Sequence, residues 1–313
     1  MLKRLLIVSM FLLLAALFAL AWTFFPQRLP MPAPYVGALP AASPPAGMTI
    51  STIHTGSMAS RAAFAFRGGA FGEERQFAMT AILLQHPRGD LLIDSGFGKD
   101  VETHVATTPR LAQALTRFTR GTPAGAQLQA QKIEVSSLAG VVLTHAHWDH
   151  VSGLDSLPGA PVWTNAAERA FLREGGDRSA LLRSFTAVRW IEYAFDDGPY
   201  FGFEQSYDVW DDGSVVLVPA PGHTPGSVIV FVALPSGTRY ALLGDLVWQS
   251  EGITRPAERP WFARRMLGED EALVRAAIAR IAAIHQRYPE IRLVPAHDGR
   301  ALASIPTFPN AAR

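Results

Sequence analysis

Cysteine is absent from the 313 residues, which excludes disulfides, thiolate metal ligands and a cysteine nucleophile, while leaving the compartment open. Charge is sparse. The 28 basic and 27 acidic side chains give a net charge of +1, with no extended basic or aromatic platform of the kind nucleic acid needs. No repeat with a period of 20–50 residues is visible. Histidine is also scarce, with nine in the chain, yet three of the nine crowd into His145–His150. A chain of this length has room for one large α/β domain or two small ones.

One long hydrophobic run stands out. Lys3 and Arg4 precede Leu5–Phe25, within which only Ser9 and Thr23 are polar. As a helix this run spans roughly 30 Å, the thickness of a bilayer core. Ala19-Leu20-Ala21 would serve as a cleavage site. The run continues through Trp22, Phe24 and Phe25, which favours an uncleaved anchor. In both readings the basic flank stays inside and the remainder is exported. The expectation is a membrane-anchored domain on the periplasmic or extracellular side, or a secreted one if the segment is cleaved. The organisation expected is 1–25 transmembrane anchor or signal peptide, 26–47 Pro/Ala-rich tether, and 48–313 catalytic domain.

Beyond residue 47, short β-rich runs alternate with helical patterns, which implies layers of sheet and helix. Ala78–Gln85 and Asp90–Asp94 flank a turn at HPRGD, and Val141–Thr144, Val162–Thr164, Val215–Val218, Ser227–Leu234, Tyr240–Leu243 and Ile291–Val294 read as further strands. Asn165 and Glu168 predict a capping box for a helix that stops at Gly175-Gly176. Glu269–Tyr288 predicts a helix with an acidic start, a face of Leu273, Ala277, Ile281, Ile284 and Tyr288, and an end at Pro289.

Four strands each deliver a metal-binding side chain just past the C-terminal end: His145, His223 in PAPGH, Asp245 in LLGD and His297 in PAH. His145 and His147 are two apart, so an extended backbone points both the same way, and Asp149 and His150 follow where the chain must turn. Together these seven nitrogen and oxygen donors exceed one tetrahedral zinc and suit two metals roughly 3.5–4 Å apart. Two such cations lower the pKa of a water between them towards about 7, so hydroxide exists at neutral pH. A group that passes a proton to the leaving group is then expected, and Asp149 is the candidate for it. His54, His86, His104 and His285 sit in no ligand pattern and read as ordinary surface or core residues.

The motifs THAHWDH, PGHTPGS, LLGD and VPAHD, in this order across residues 48–313, resemble those of the metallo-β-lactamase superfamily. The resemblance implies an α/β fold: a four-layer αβ/βα sandwich of two mixed β-sheets flanked by helices, with a dinuclear site along one edge. It implies that His145, His147 and His223 hold the first metal, that Asp149, His150 and His297 hold the second, and that Asp245 bridges them together with a hydroxide. Asp94 in LLIDSG resembles the family's aspartate that orients a metal-bound histidine; the competing reading is a turn cap after a strand. Zinc is the default for a histidine-rich site, while Asp149 and Asp245 also admit iron or manganese.

The pair THAHWDHVSG and PGHTPGS is closest to the N-acyl homoserine lactonases and the related organophosphate-hydrolysing branch. Those lactonases carry a tyrosine three residues after the bridging aspartate, and here Trp248 stands in that place, where an indole N–H donates but cannot act as a phenolic acid. Trp148 adds a second aromatic wall to the substrate pocket, or packs in the core. Residues 192–212, rich in aromatics and carboxylates, read either as an apolar lid over the metals or as an irregular insertion packed on the core. Arg255, Arg259, Arg264 and Arg265 are expected to pair with that acidic insertion, the alternative being an anionic substrate group or lipid phosphates. The resulting expectation is a hydrolase of an ester, lactone or related acyl bond in a small, mainly apolar molecule. The alternatives are a phosphodiesterase or phosphotriesterase of the same fold, and a non-catalytic envelope binding protein that retains it.

Overall fold

A computed structural model describes residues 1–108, 110–115 and 117–313. Among these residues, twelve strands form two mixed sheets. In the first are β1 (Thr49–Arg61), β2 (Glu74–Gln85), β3 (Leu91–Ile93), β4 (Arg117–Arg120), β5 (Gly140–Val142), β6 (Pro161–Asn165) and β7 (Arg189–Tyr193). They lie in the order β4-β1-β2-β3-β5-β6-β7, antiparallel from β4 to β3 and parallel from β3 to β7. The second sheet holds β8 (Tyr207–Asp208), β9 (Val215–Pro219), β10 (Val228–Ala233), β11 (Arg239–Gly244) and β12 (Arg292–Pro295). Its order is β12-β11-β10-β9-β8, with only the β11/β12 pair parallel.

Period-two alternation along the strands builds the layers. In β10, Val228, Val230 and Val232 face the core between the sheets, where they meet Ile82, Leu84 and Val142. Ile229 and Phe231 point the other way and pack with Ile278 and Ile281 of the helix Glu271–Arg287. On the far side, Leu83, Leu92, Val141 and Val162 of the first sheet meet Leu128, Phe171 and Leu182 from short helices. The result is the expected four-layer sandwich of helix, sheet, sheet and helix.

Local chemistry corrects two expectations. The long helix starts at Glu271, because the Asp270 carboxylate caps the N–H groups of Ala272 and Leu273 and leaves Glu269 outside. Its buried face is Val274, Ala277, Ile278, Ile281, Ala282 and Ile284, whereas Leu273 is 44 % exposed. At the other predicted cap, Asn165 accepts from the Glu168 N–H as expected, but the Glu168 side chain does not reach back to close a capping box. It points into the site.

Leu2–Trp22 is one apolar helix, exposed and long enough to cross a membrane. Residues 26–47 carry no helix or strand and lie against the body: the Leu29 N–H donates to the Pro256 carbonyl, the Tyr35 N–H to Ala283, and Tyr288 Oη to the Gly37 carbonyl.

Candidate metal centre

The two sheets meet at one edge, where the Val228 N–H donates to the Thr144 carbonyl at 2.9 Å. All seven expected donors gather there, and all but Asp149, which is half-buried, are buried. The chain after β5 contributes His145, His147, Asp149 and His150. The β9–β10 loop brings His223, Asp245 follows β11, and His297 follows β12. Their ligand atoms fall into three mutually close groups: His145 with His147 and His223, His145 with His150 and Asp245, and Asp149 with His150 and His297. His147 Nδ1 stands 2.9 Å from His223 Nε2, and His150 Nε2 stands 3.3 Å from His297 Nε2. Asp245 lies between the groups, with Oδ1 3.0 Å from His297 Nε2 and 3.2 Å from His150 Nε2, and Oδ2 3.4 Å from His223 Nε2.

The donor set fits divalent cations. His145 Nε2 and His147 Nε2 are buried without a hydrogen-bond partner, a state that costs about 1–3 kcal/mol per group unless something satisfies it. Burial, followed by the neighbouring imidazoles, holds His145 and His147 well below the ordinary histidine pKa, so both are neutral with a lone pair to give. Burial alone would raise the Asp245 carboxyl, but His297 and His150 outweigh it and keep the group ionised.

Three of the five imidazoles have their outward ring nitrogen held by a partner that aims the inner one. His150 Nδ1 donates to Asp94 Oδ2 at 2.7 Å, and Asp94 also accepts from the Thr144 N–H and Oγ1, both at 2.7 Å. Asp94 holds these contacts at a φ of 57°, a left-handed position that aspartate tolerates better than most residues. His297 Nδ1 donates to the Ala78 carbonyl at 3.0 Å. His223 Nδ1 donates to Glu269 Oε1 at 2.7 Å; Glu269 is locked in turn by the Arg259 guanidinium, which also donates to the Asp245 carbonyl at 2.8 Å. Asp94→Asn is expected to weaken metal binding by about 10–100-fold with little change in fold, since the single amide oxygen can accept from His150 Nδ1 or from the Thr144 N–H but not from both, and carries no charge. Chelator competition measures this, and unchanged affinity would make Asp94 a turn cap alone.

Three residues of this outer layer escaped the sequence reading. Glu269 looked like the acidic start of a helix, Arg259 like one of a surface cluster and Glu168 like a cap. Glu168 is 1 % exposed and accepts from the Ala146 N–H at 2.6 Å, Thr224 Oγ1 at 2.8 Å and the Gly226 N–H at 2.9 Å. It therefore clamps the loop of His145 and His147 to the loop of His223. No local signal marks it, because its partners lie 22 to 58 residues away.

A cavity of about 200 Å³ opens onto this cluster. His147, Asp149, Asp245 and His297 line it together with Trp148 and Trp248, and the remaining wall is mostly apolar, including Met58, Phe64, Phe77, Phe118 and Phe262. Trp148 stacks on Phe97 at 5.4 Å, so it serves both cavity and core. Trp248 donates its indole N–H to Asp245 Oδ2 at 2.7 Å, packs on Phe77 and lies against the Arg259 guanidinium.

The structure decides between the two readings of residues 192–212 in favour of the packed insertion, and it corrects one further expectation. The 192–212 insertion borders no part of this cavity; its Tyr193, Phe201, Phe203 and Trp210 are buried in the two cores around the second sheet. Nor does the arginine cluster pair with it among the described residues: Arg259 binds Glu269, and Arg264 binds Glu258 and Glu271. His54, His86, His104 and His285 stand outside the ligand groups; His86, for example, stacks on Trp210 at 3.9 Å beside Asp212.

The family model described as metallo-beta-lactamase superfamily matches residues 76–286. A "probable metallo-hydrolase" of Mycobacterium tuberculosis is 28 % identical over 233 residues, covering 69 % of this chain and 73 % of the relative. An N-acyl homoserine lactonase of Azorhizobium caulinodans is 27 % identical over 195 residues, covering 56 % of this chain and 68 % of the lactonase. Among solved structures, an N-acyl homoserine lactone hydrolase with N-hexanoyl-L-homoserine at its catalytic metal centre superposes with a TM-score of 0.67 at 16 % identity, covering 87 % of this chain and 100 % of that one. A dizinc quorum-quenching lactonase superposes with a TM-score of 0.56 at 14 % identity, covering 91 % and 92 %. These likenesses at low identity establish the fold.

Proposed function

The chain belongs to the metallo-beta-lactamase superfamily and is a metal-dependent hydrolase, and we propose that it cleaves an ester, lactone or related acyl bond in a small, mainly apolar molecule. The observation that carries this reading is the set of seven converging donors, two of them buried and unpartnered, at the end of an apolar cavity. His145, His147 and His223 would hold one divalent cation, Asp149, His150 and His297 a second, and Asp245 both. Zinc suits this set best. When bound, such a pair supplies hydroxide at neutral pH and polarises the scissile carbonyl.

The chain's own groups do the rest. Asp149 lines the cavity with Oδ2 3.4 Å from His297 Nε2, where it can take a proton and return it to the leaving oxygen. Trp148 and Phe77 exclude water and hold an apolar acyl group. The Trp248 N–H is committed to Asp245, so it positions that carboxylate rather than the substrate. Trp248→Phe keeps the packing on Phe77 and removes only the donor; a loss of about tenfold in kcat with KM nearly unchanged is expected. A rise in KM alone would instead assign Trp248 to substrate binding.

The exposed helix Leu2–Trp22 supports the reading of a membrane anchor with an exported catalytic domain. The reaction class is tested with purified protein, by metal analysis and by assays on lactone, aryl ester, phosphodiester and phosphotriester panels. Stoichiometric metal and preferred acyl turnover are expected. A large preference for phosphorus substrates would overturn the acyl reading, and the absence of metal, with no activity on adding Zn²⁺ or Mn²⁺, would overturn the whole proposal.

A further inference from the structure

The N-terminal helix does not leave the domain on a loose tether. Where it ends, Phe24 packs on Phe64 at 5.8 Å and on Phe71 at 4.9 Å. The Arg67 side chain donates to the carbonyls of Trp22 and Phe25, and the Gly68 N–H donates to the Phe24 carbonyl at 2.9 Å. Phe64 is shared: one side touches the end of the helix and another lines the cavity.

Exposed apolar side chains mark the same place. From residue 48 onward, the large hydrophobic residues left exposed among those described are Phe71, Leu111, Trp261 and Leu273. Three of these four adjoin the cavity wall. Phe71 packs on Phe64 at 6.0 Å, Trp261 precedes the wall residue Phe262, and Leu111 follows the wall residues Thr107 and Thr108. They are 56 %, 46 % and 52 % exposed, respectively, on segments separated by up to 190 residues. Isolated surface apolar residues need no explanation, but three of them on segments that also supply the cavity wall, one packed against the end of a membrane-length helix, do. Arg110 next to Leu111, and Arg265 one turn after Trp261, are exposed cations of the kind that settle among lipid headgroups.

We propose that Phe71, Leu111 and Trp261 seat the cavity mouth on the bilayer surface beside the N-terminal helix, so that the substrate enters from the lipid leaflet. The substrate class is then a lipophilic ester or lactone with an acyl chain long enough to partition into the membrane. The choice of bond rests on the acyl-hydrolase reading above; the docking surface does not.

The absence of cysteine allows a direct test. The variants Phe71→Cys, Leu111→Cys and Trp261→Cys, and Ser236→Cys in the turn at the opposite end of β10 as a control, are each labelled with an environment-sensitive fluorophore in the full chain. The labelled proteins are then reconstituted into phosphatidylcholine/phosphatidylglycerol vesicles with and without brominated acyl chains. Labels at 71, 111 and 261 are expected to shift to the blue and to be quenched by the brominated lipid, while the label at 236 is unaffected. If the first three behave like the control, the docking surface is refuted, whatever the enzyme hydrolyses. If they insert but no acyl substrate of any chain length is turned over, the docking surface stands and the substrate class falls with the acyl reading. With both intact, an ester or lactone whose acyl chain is long enough, at about 0.8 kcal/mol per CH₂, to stay in the bilayer throughout the assay should be turned over by enzyme reconstituted in the same vesicle and not by enzyme in separate vesicles; equal turnover in the two arrangements would overturn entry from the leaflet.

Discussion

Asp245→Ala is expected to lower kcat/KM by on the order of 10³ to 10⁴ while the protein still folds, because several kcal/mol of charge stabilisation pass through this one carboxylate. Its two oxygens face different ligand groups, Oδ1 towards His150 and His297 and Oδ2 towards His223, and within the described chain the other carboxylate of the cluster, Asp149, groups with His150 and His297 only. Alanine would separate the two groups and leave the Trp248 N–H without its acceptor. Steady-state kinetics and metal content on the same preparation measure the effect, with circular dichroism as the check on folding. A variant retaining two metals and turnover within tenfold of the parent would show that Asp245 does not join two cations, and the dinuclear reading would have to be given up.

Glu168→Ala should have the largest effect on stability, a loss of about 3–5 kcal/mol, because it leaves the Ala146 N–H, the Gly226 N–H and Thr224 Oγ1 buried without their acceptor. Denaturant unfolding of the metal-free protein isolates this from any loss of metal. A cost below about 1 kcal/mol would mean that the two loops hold together without the clamp. Burial pushes the Glu168 carboxyl up to about 6 from 4.5, even though three donors face it. A folded-state value above the unfolded one means that the native state binds the extra proton. The stability this group contributes is then fully present below pH 4.5 and is lost as pH rises to about 6, by roughly 2 kcal/mol. Glu168→Gln cannot titrate, so comparing its stability with the parent's across that window should reveal this slope, and parallel profiles would show that it is absent.

The seven donors were legible in the sequence because their chemistry is concentrated and local. A scarce residue type repeats within six positions at His145–His150, and His223, Asp245 and His297 each follow a hydrophobic strand. The strands were legible for the same kind of reason, as short continuous apolar runs such as VIVFVA in β10 and YALL in β11. The helix face slipped by one residue at Leu273 because apolar side chains crowd that helix, and the periodicity leaves its rotation open by about one position.

What surrounds these donors was illegible for the opposite reason. Glu168, Glu269 and Arg259 are ordinary charged residues whose meaning comes from partners such as Gly226, His223 and Asp245, each on a different segment. The aromatics of 192–212 had as good a claim to the cavity as Phe64, Phe77 and Phe118, and only packing assigned the first set to the core and the second to the wall. By itself the sequence determined the donor chemistry and the layered fold, because residue type and periodicity are properties of a segment read alone. The tertiary structure decided which charges are buried, which atoms orient the imidazoles and what the cavity mouth adjoins, because burial and hydrogen bonding are properties of pairs that folding brings together from distant parts of the chain.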